Sequence, residues 1–307
     1  MSAKNLPATC GKCHEGAGTR FALGPVHLWA GRTEPASVAW ARRTYVVLIP
    51  LCVGLMFLFN FGDWVRKLRK LVSTGRPPAP KRAPLRSIRM YRFERFLHAG
   101  LATSFIVLAW TGFQLKYPDQ WWAREAVALE GGVTVRGIVH RVAAVVFVTT
   151  ALAHLISLIA SRGLRAHWKN LWPRYTDAGE ALGGFAYNLG LTSKPPKISP
   201  YSFVEKAEYW AVVWGGVVMT ATGVLLWANN LALKWFPKEA LDFSTAVHFY
   251  EALLACLSIV VWHFYVVIFD PDVYPMDTAW FAGYSVREHD DAAHAHLETV
   301  SGGRGGR

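Results

Sequence analysis

Cysteine is scarce: four occur in 307 residues, and two of them, Cys52 and Cys256, stand alone inside apolar runs. With no partner in sequence they read as small packing residues. No apolar run precedes Thr44 and no small-residue cleavage site follows it. A cleavable signal peptide is therefore not expected, and the first apolar run is the expected uncleaved export signal. Sustained alternation of apolar and polar residues is also missing, which excludes a transmembrane barrel. Acidic residues are outnumbered 21 to 33 by Lys and Arg, leaving a net charge of +12.

What is present in quantity is aromatic and apolar. There are 14 Trp and 17 Phe, and the mean hydropathy is positive, a composition that suits a multi-span membrane protein better than a soluble domain with one core. Five runs are long enough to cross roughly 30 Å of hydrocarbon: Thr44 to Phe61, Phe96 to Leu115, Ile138 to Ala160, Tyr209 to Leu233 and Ala246 to Phe269. A backbone in lipid must satisfy its own hydrogen bonds, so these runs are expected to be helices. The expected fold is all-α, an integral membrane helix bundle with one N-terminal transmembrane helix followed by a four-helix unit.

A charge of +12 would suit nucleic acid if the basic residues shared one face, but they cluster by loop. Residues 62–95 hold 11 Lys/Arg against 2 acids and residues 161–208 hold 7 against 4, while 116–137 and 234–245 hold 3 and 2. That alternation follows the positive-inside rule. It places the two basic loops and the C-terminus in the cytoplasm and the N-terminus in the periplasm of a bacterial inner membrane, although Arg42 and Arg43 flank the first run on the exported side. The expected organisation is a periplasmic tail (1–43), a first span (44–61), a basic cytoplasmic linker (62–95), a four-helix domain (96–285) and a disordered tail (286–307). The proline-rich stretch Arg76 to Pro84 reads as a stiff connector within the linker.

Cys10-Gly-Lys-Cys13-His14 is a C-x-x-C-H run, the attachment signature of c-type haem, with both thiols bound to the porphyrin and His14 on the iron. A zinc half-site would need a second ligand pair that residues 1–43 do not offer. Attachment takes place outside the cytoplasmic membrane, where charge independently puts this tail. His27 is a candidate sixth ligand of that haem or a donor to one in a neighbouring subunit; an ordinary loop histidine is the alternative. So short a tail cannot bury a haem alone, so a partner is expected to cover it.

Inside the spans, His140 pairs with His154 and His248 with His263 at spacings of 14 and 15 residues. At 100° and 1.5 Å per residue each pair nearly shares a helix face, about 21 Å apart along the axis. Ionisable residues within spans are functional candidates by default, and two helices carrying such pairs can supply two axial ligands to each of two b haems. His140 and His248 form the expected outer pair, with Arg141 facing a haem propionate. For the inner pair His263 is common to every arrangement, and its partner is either His98 or His154. An internal repeat bears on the choice: Glu94-Arg95 through Thr111-Gly112 matches Glu205-Lys206 through Thr222-Gly223 at a constant offset of 111. In that register His98 corresponds to Tyr209, so symmetry favours His154. Glu251, one turn beyond His248, is either a structural carboxylate or a proton carrier.

These residues resemble a known family. Glu94-Arg95-Phe96-Leu97-His98 with Thr111-Gly112, then Arg136-Gly137-Ile138-Val139-His140-Arg141, then His248 to His263 are similar to the cytochrome b subunits of membrane-bound formate dehydrogenases and nickel-iron hydrogenases, over about residues 88–285. Glu205 to Trp210, Val261 to Tyr265 and Phe269 to Pro275 resemble a dihaem branch associated with multihaem c-type cytochromes. The resemblance implies a four-helix dihaem unit passing electrons between quinone and a periplasmic partner. It further implies His140 and His248 at the outer haem and His98 and His263 at the inner one. The sequence departs in having His154, and in a last pair spaced by 15 rather than the relatives' 14. The resemblance also implies a quinone near the inner haem, where Tyr201, Glu205 and Lys206 are candidate contacts; interfacial anchoring is the alternative for each.

The function expected is a membrane electron-transfer subunit with two b haems and one c haem, working between quinone and periplasmic c-type cytochromes or a dehydrogenase or reductase partner. A non-redox anchor for a periplasmic enzyme, and a transmembrane reductase that does not use quinone, are the other classes. Paired histidines at one haem spacing speak against the anchor.

Overall fold

The computed structural model describes residues 34–74, 88–196 and 201–285. In chain order the helices are α1 (Ala36–Thr74), α2 (Arg92–Lys116), α3 (Trp121–Leu129), α4 (Val133–Ala160), α5 (Arg162–Trp168), α6 (Tyr175–Asn188), α7 (Phe203–Trp227), α8 (Asn229–Trp235), α9 (Lys238–Ser258) and α10 (Ala279–Ala282). Two π-helical turns, Ile259–His263 and Tyr265–Phe269, prolong α9. Among the described residues five helices are long and apolar enough to cross a membrane: α1, α2, α4, α7, and α9 with its π extension. The chain is an all-α integral membrane helix bundle.

Burial runs opposite to that of a protein folded in water. Ile106, Ile156 and Trp214 are 65%, 62% and 68% exposed, while Thr111, Gln114 and Arg136 are buried to 1%, 1% and 0%. Such a surface is stable against hydrocarbon, where apolar side chains lose nothing by facing outward and polar ones must find partners inside.

All five apolar runs are helical, but their ends differ from the sequence expectation. α1 has 39 residues, about 58 Å at 1.5 Å per residue, so it extends well past both ends of the run Thr44 to Phe61. The fourth run breaks early. α7 stops at Trp227, Ala228 leaves helical geometry, and Asn229–Trp235 forms the separate helix α8. Hydropathy alone does not report such a break, because Leu231 and Leu233 remain apolar beyond it.

The described residues group into two compact units. The first takes residues up to Val53, Thr111–Arg141 and Val213–Leu257. Within it, Gly131 and Gly132 adopt φ of +90° and +98°, the left-handed conformation glycine adopts without strain, and turn the chain from α3 into α4. Beside that turn Arg136 is clasped by Glu130 at 2.7 Å. α1 is held by Ser37 donating to Glu239 at 2.6 Å and by Tyr45, which donates to Glu251 at 2.7 Å and stacks on Tyr250.

The second unit takes Gly54–Trp110, Val142–Val212 and residues from Ser258 onward. Here α1 approaches α6 so closely that a Cβ on Gly62 would lie 3.0 Å from the Asn188 carbonyl oxygen. Phe59 packs against Phe185, Phe203 and Trp262. Lys67 ends this face within reach of three carboxylates: Asp63 at 2.8 Å, Asp270 at 2.6 Å and Asp272 at 2.8 Å. A lysine this enclosed is tolerable because it is paired, and Arg66 on Asp63 offsets part of the excess negative charge.

Candidate functional site

In the first unit His140, on α4, and His248, on α9, face one another with ring centroids 6.5 Å apart. With a metal–imidazole bond of about 2.0 Å and about 1.1 Å from ring nitrogen to ring centre, two imidazoles across one metal have centres about 6.2 Å apart. The observed separation matches that arrangement.

Each ring is fixed from behind by the same device. Nδ1 of His140 is 2.8 Å from the Thr111 hydroxyl, and Nδ1 of His248 is 2.9 Å from that of Thr222. Thr222 spends its own hydrogen on the Val218 carbonyl at 2.7 Å, so its oxygen accepts from His248. That fixes the Nδ1–H tautomer and leaves the Nε2 lone pair for a metal. The glycine after each threonine completes the cradle: a Cβ on Gly112 would stand 3.3 Å from His140 Cε1, and one on Gly223 the same distance from His248 Cε1. The threonine–glycine pairs were visible in sequence as a repeat, but nothing there linked them to the imidazoles.

Gln114 lies one turn beyond Thr111, and Arg136 one turn before His140, on the faces that make this contact. Both amide atoms of Gln114 and Nη1 of Arg136 are buried without a hydrogen-bond partner. Buried donors without acceptors are rare, and a carboxylate-bearing ligand would supply acceptors to the Gln114 amide nitrogen and to Arg136 Nη1. Sequence reading pointed to Arg141, whose guanidinium lies 5.7 Å from the centre of the Trp227 ring.

In the second unit the facing rings are His98, on α2, and His263, in the first π turn, with centroids 6.3 Å apart. Nδ1 of His263 is 3.3 Å from Glu208; Nδ1 of His98 is buried without a partner. His154 is engaged elsewhere. Its Nε2 lies 2.9 Å from the Tyr209 hydroxyl, whose oxygen accepts from the Trp168 indole at 2.6 Å. Tyr209 is the repeat counterpart of His98, so the contacts His98–His263 and Tyr209–His154 are equivalent under the repeat, and each runs between the two hairpins.

Among the described residues each pair offers two imidazoles and no group of three metal ligands, a donor set that would suit a haem iron. Residues 89–276 match the family described as prokaryotic cytochrome b561. The chain belongs to that family. It is therefore a membrane cytochrome that binds haem b and transfers electrons, and both histidine pairs of the cytochrome fall within the matched residues. No curated protein matches the chain.

The three quinone candidates all have protein partners. Tyr201 is buried, with its hydroxyl 2.8 Å from His167 Nε2 and the Arg89 guanidinium over its ring. Burial pushes its phenol well above the usual range, so the hydroxyl keeps its proton. Glu205 binds Arg89 at 2.7 Å and accepts from Ser202. Lys206 is paired with Asp177 at 2.7 Å. His167, Arg89 and Asp177 were not singled out in sequence, where each is one polar residue among many in basic loops. Cys10, Cys13, His14 and His27 lie outside the described residues, as do the connector 76–84 and the tail 286–307.

Proposed function

We propose that this cytochrome is the dihaem electron-transfer subunit of a quinone-coupled complex. His140 and His248 ligate one b haem, His98 and His263 the second, and the Cys10–Cys13–His14 motif holds a c haem. The observation that carries the proposal is the pair of imidazole separations, 6.5 and 6.3 Å, each matching two ligands across one iron. His98 is preferred over His154 because the Nε2 that iron would need is already committed to Tyr209. Bound haem supplies one-electron transfer, and the protein sets ligand identity, orientation and surrounding charge.

The chain's own residues divide the remaining work. Thr111 and Thr222 hold the ligand tautomers, and Glu208 steadies His263. Arg136 and Gln114, with Arg141, face propionates. Tyr201 and His167 form a proton-bearing pair at the start of α7, next to Glu205 and Lys206, where quinone exchanges its protons. In the proposed topology the basic loops lie in the cytoplasm and the N-terminal tail in the periplasm, so the c haem meets a multihaem c-type cytochrome or another periplasmic redox subunit. The domain organisation proposed is the one read from sequence, with the four-helix dihaem unit at 96–285.

A reduced-minus-oxidised spectrum with haem extraction on the isolated chain tests this. Two b haems and one c haem per chain are expected. One b haem, or none, overturns the dihaem assignment.

A further inference from the structure

α1 precedes the family-matched residues 89–276, yet it grips the segment that carries His263. Phe59 stacks on Trp262 with centroids 5.9 Å apart and planes 3° from parallel. Asn60 donates from Nδ2 to the Val261 carbonyl at 2.7 Å. The Tyr265 hydroxyl donates to Asp63 at 2.7 Å. Residues 261, 262 and 265 are thus held from α1, and His263 lies between them.

The gripped segment is not an ordinary helix. From Ile259 to Phe269 the backbone pairs at i→i−5, with Phe264 N on Ile259 O and Asp270 N on Tyr265 O. π turns are rare, cost hydrogen-bond geometry, and concentrate at functional sites. Here the wide turn takes up a residue: His248 and His263 are 15 apart where His140 and His154 are 14 apart. In a regular helix that extra residue would swing His263 by about 100°. A carbonyl in such a widened turn is open to an outside donor, and Asn60 is the one carboxamide in the run 44–61. It is 5% exposed.

We propose that Asn60 is a positioning residue for the second haem site: its hydrogen bond to Val261 holds the π turn that aims the His263 imidazole. The inference rests on His263 being a haem ligand. α1 is accordingly part of the redox unit, acting through α9 and without touching the iron.

The test uses the full-length cytochrome in detergent, read by low-temperature electron paramagnetic resonance and redox titration of the b haems. His263→Ala first identifies the second haem as the signal that disappears. In Asn60→Leu that haem is expected to remain bound with a displaced low-spin g value. The reduced-to-oxidised ratio of that haem at fixed ambient potential should change about two- to tenfold, the worth of one hydrogen bond, while the other b haem is unchanged. Asn60→Gln, which keeps an amide donor, restores at least part of the wild-type signal. Tyr45→Phe, which removes an α1 contact in the first unit, leaves the second haem unaltered. If Asn60→Leu does not accumulate, Asn60→Ala removes the donor with less bulk and is read in the same way. Unchanged g value and titration in the Asn60 variant overturn the inference, as does an equal shift in Tyr45→Phe. Retention of both b haems in His263→Ala removes the ligand assignment itself, and the inference with it.

Discussion

The two histidine pairs are built differently although the hairpins that carry them are duplicates. In the first unit symmetry is kept: His140 and His248 occupy equivalent helices, and each meets a threonine hydroxyl and a glycine at distances that agree to 0.1 Å. In the second unit symmetry is broken. One hairpin offers His98 opposite His263, and the other offers Tyr209 opposite His154. Two positions related by the repeat thus carry one pair of facing imidazoles and one hydrogen-bonded pair capped by the Trp168 indole. Duplication supplies two of everything, and in the proposed assignment a single exchange between histidine and tyrosine separates the pair that ligates iron from the pair that does not.

The largest effects should come from the ligands. His140→Ala or His248→Ala is expected to abolish one b haem and leave the other, counted by haem extraction. His98→Ala should likewise cost one b haem, whereas His154→Ala should retain both; the reverse outcome would restore the symmetric pairing. Next come the supports. Thr222→Val removes the acceptor that fixes His248, and outer-shell changes of this kind weaken ligation about 10- to 100-fold, measurable as haem retained during dilution. Gly223→Val should do comparable damage by steric contact, since its Cβ would press on the imidazole. Arg136→Met, which removes the guanidinium proposed to face a propionate, should weaken haem retention at the first site by less than loss of a ligand, and no change would free Arg136 of that role. The smallest effect is expected from Tyr209→Phe: both b haems stay, because the pair it disrupts holds none.

Much of this was legible in the chain itself. Five apolar runs announced five spans, because lipid leaves a helix no alternative, and the histidine spacings pointed to His140 and His248, whose rings face one another. The preference proposed for His98 over His154 was not legible, because it turns on a hydroxyl 55 residues from His154 in sequence. The extra residue between His248 and His263 was visible as a spacing, but a count does not say that the backbone widens to absorb it. Gln114 and Arg136 were missed for a similar reason. A buried polar atom without a partner is a property of packing, and composition does not contain it. The end of α7 at Trp227 was hidden by the leucines that follow it.

The lysine on α1 that meets three aspartates sets an order of events. Lys67 and Asp270 are 203 residues apart, so the ionic knot closes only after the final span has been synthesised and has come alongside the first. Until then the ammonium has Asp63, one turn away, as its sole strong neighbour. This end of α1 is thus locked by a segment made some two hundred residues later, and a chain interrupted before Asp270 leaves that latch open.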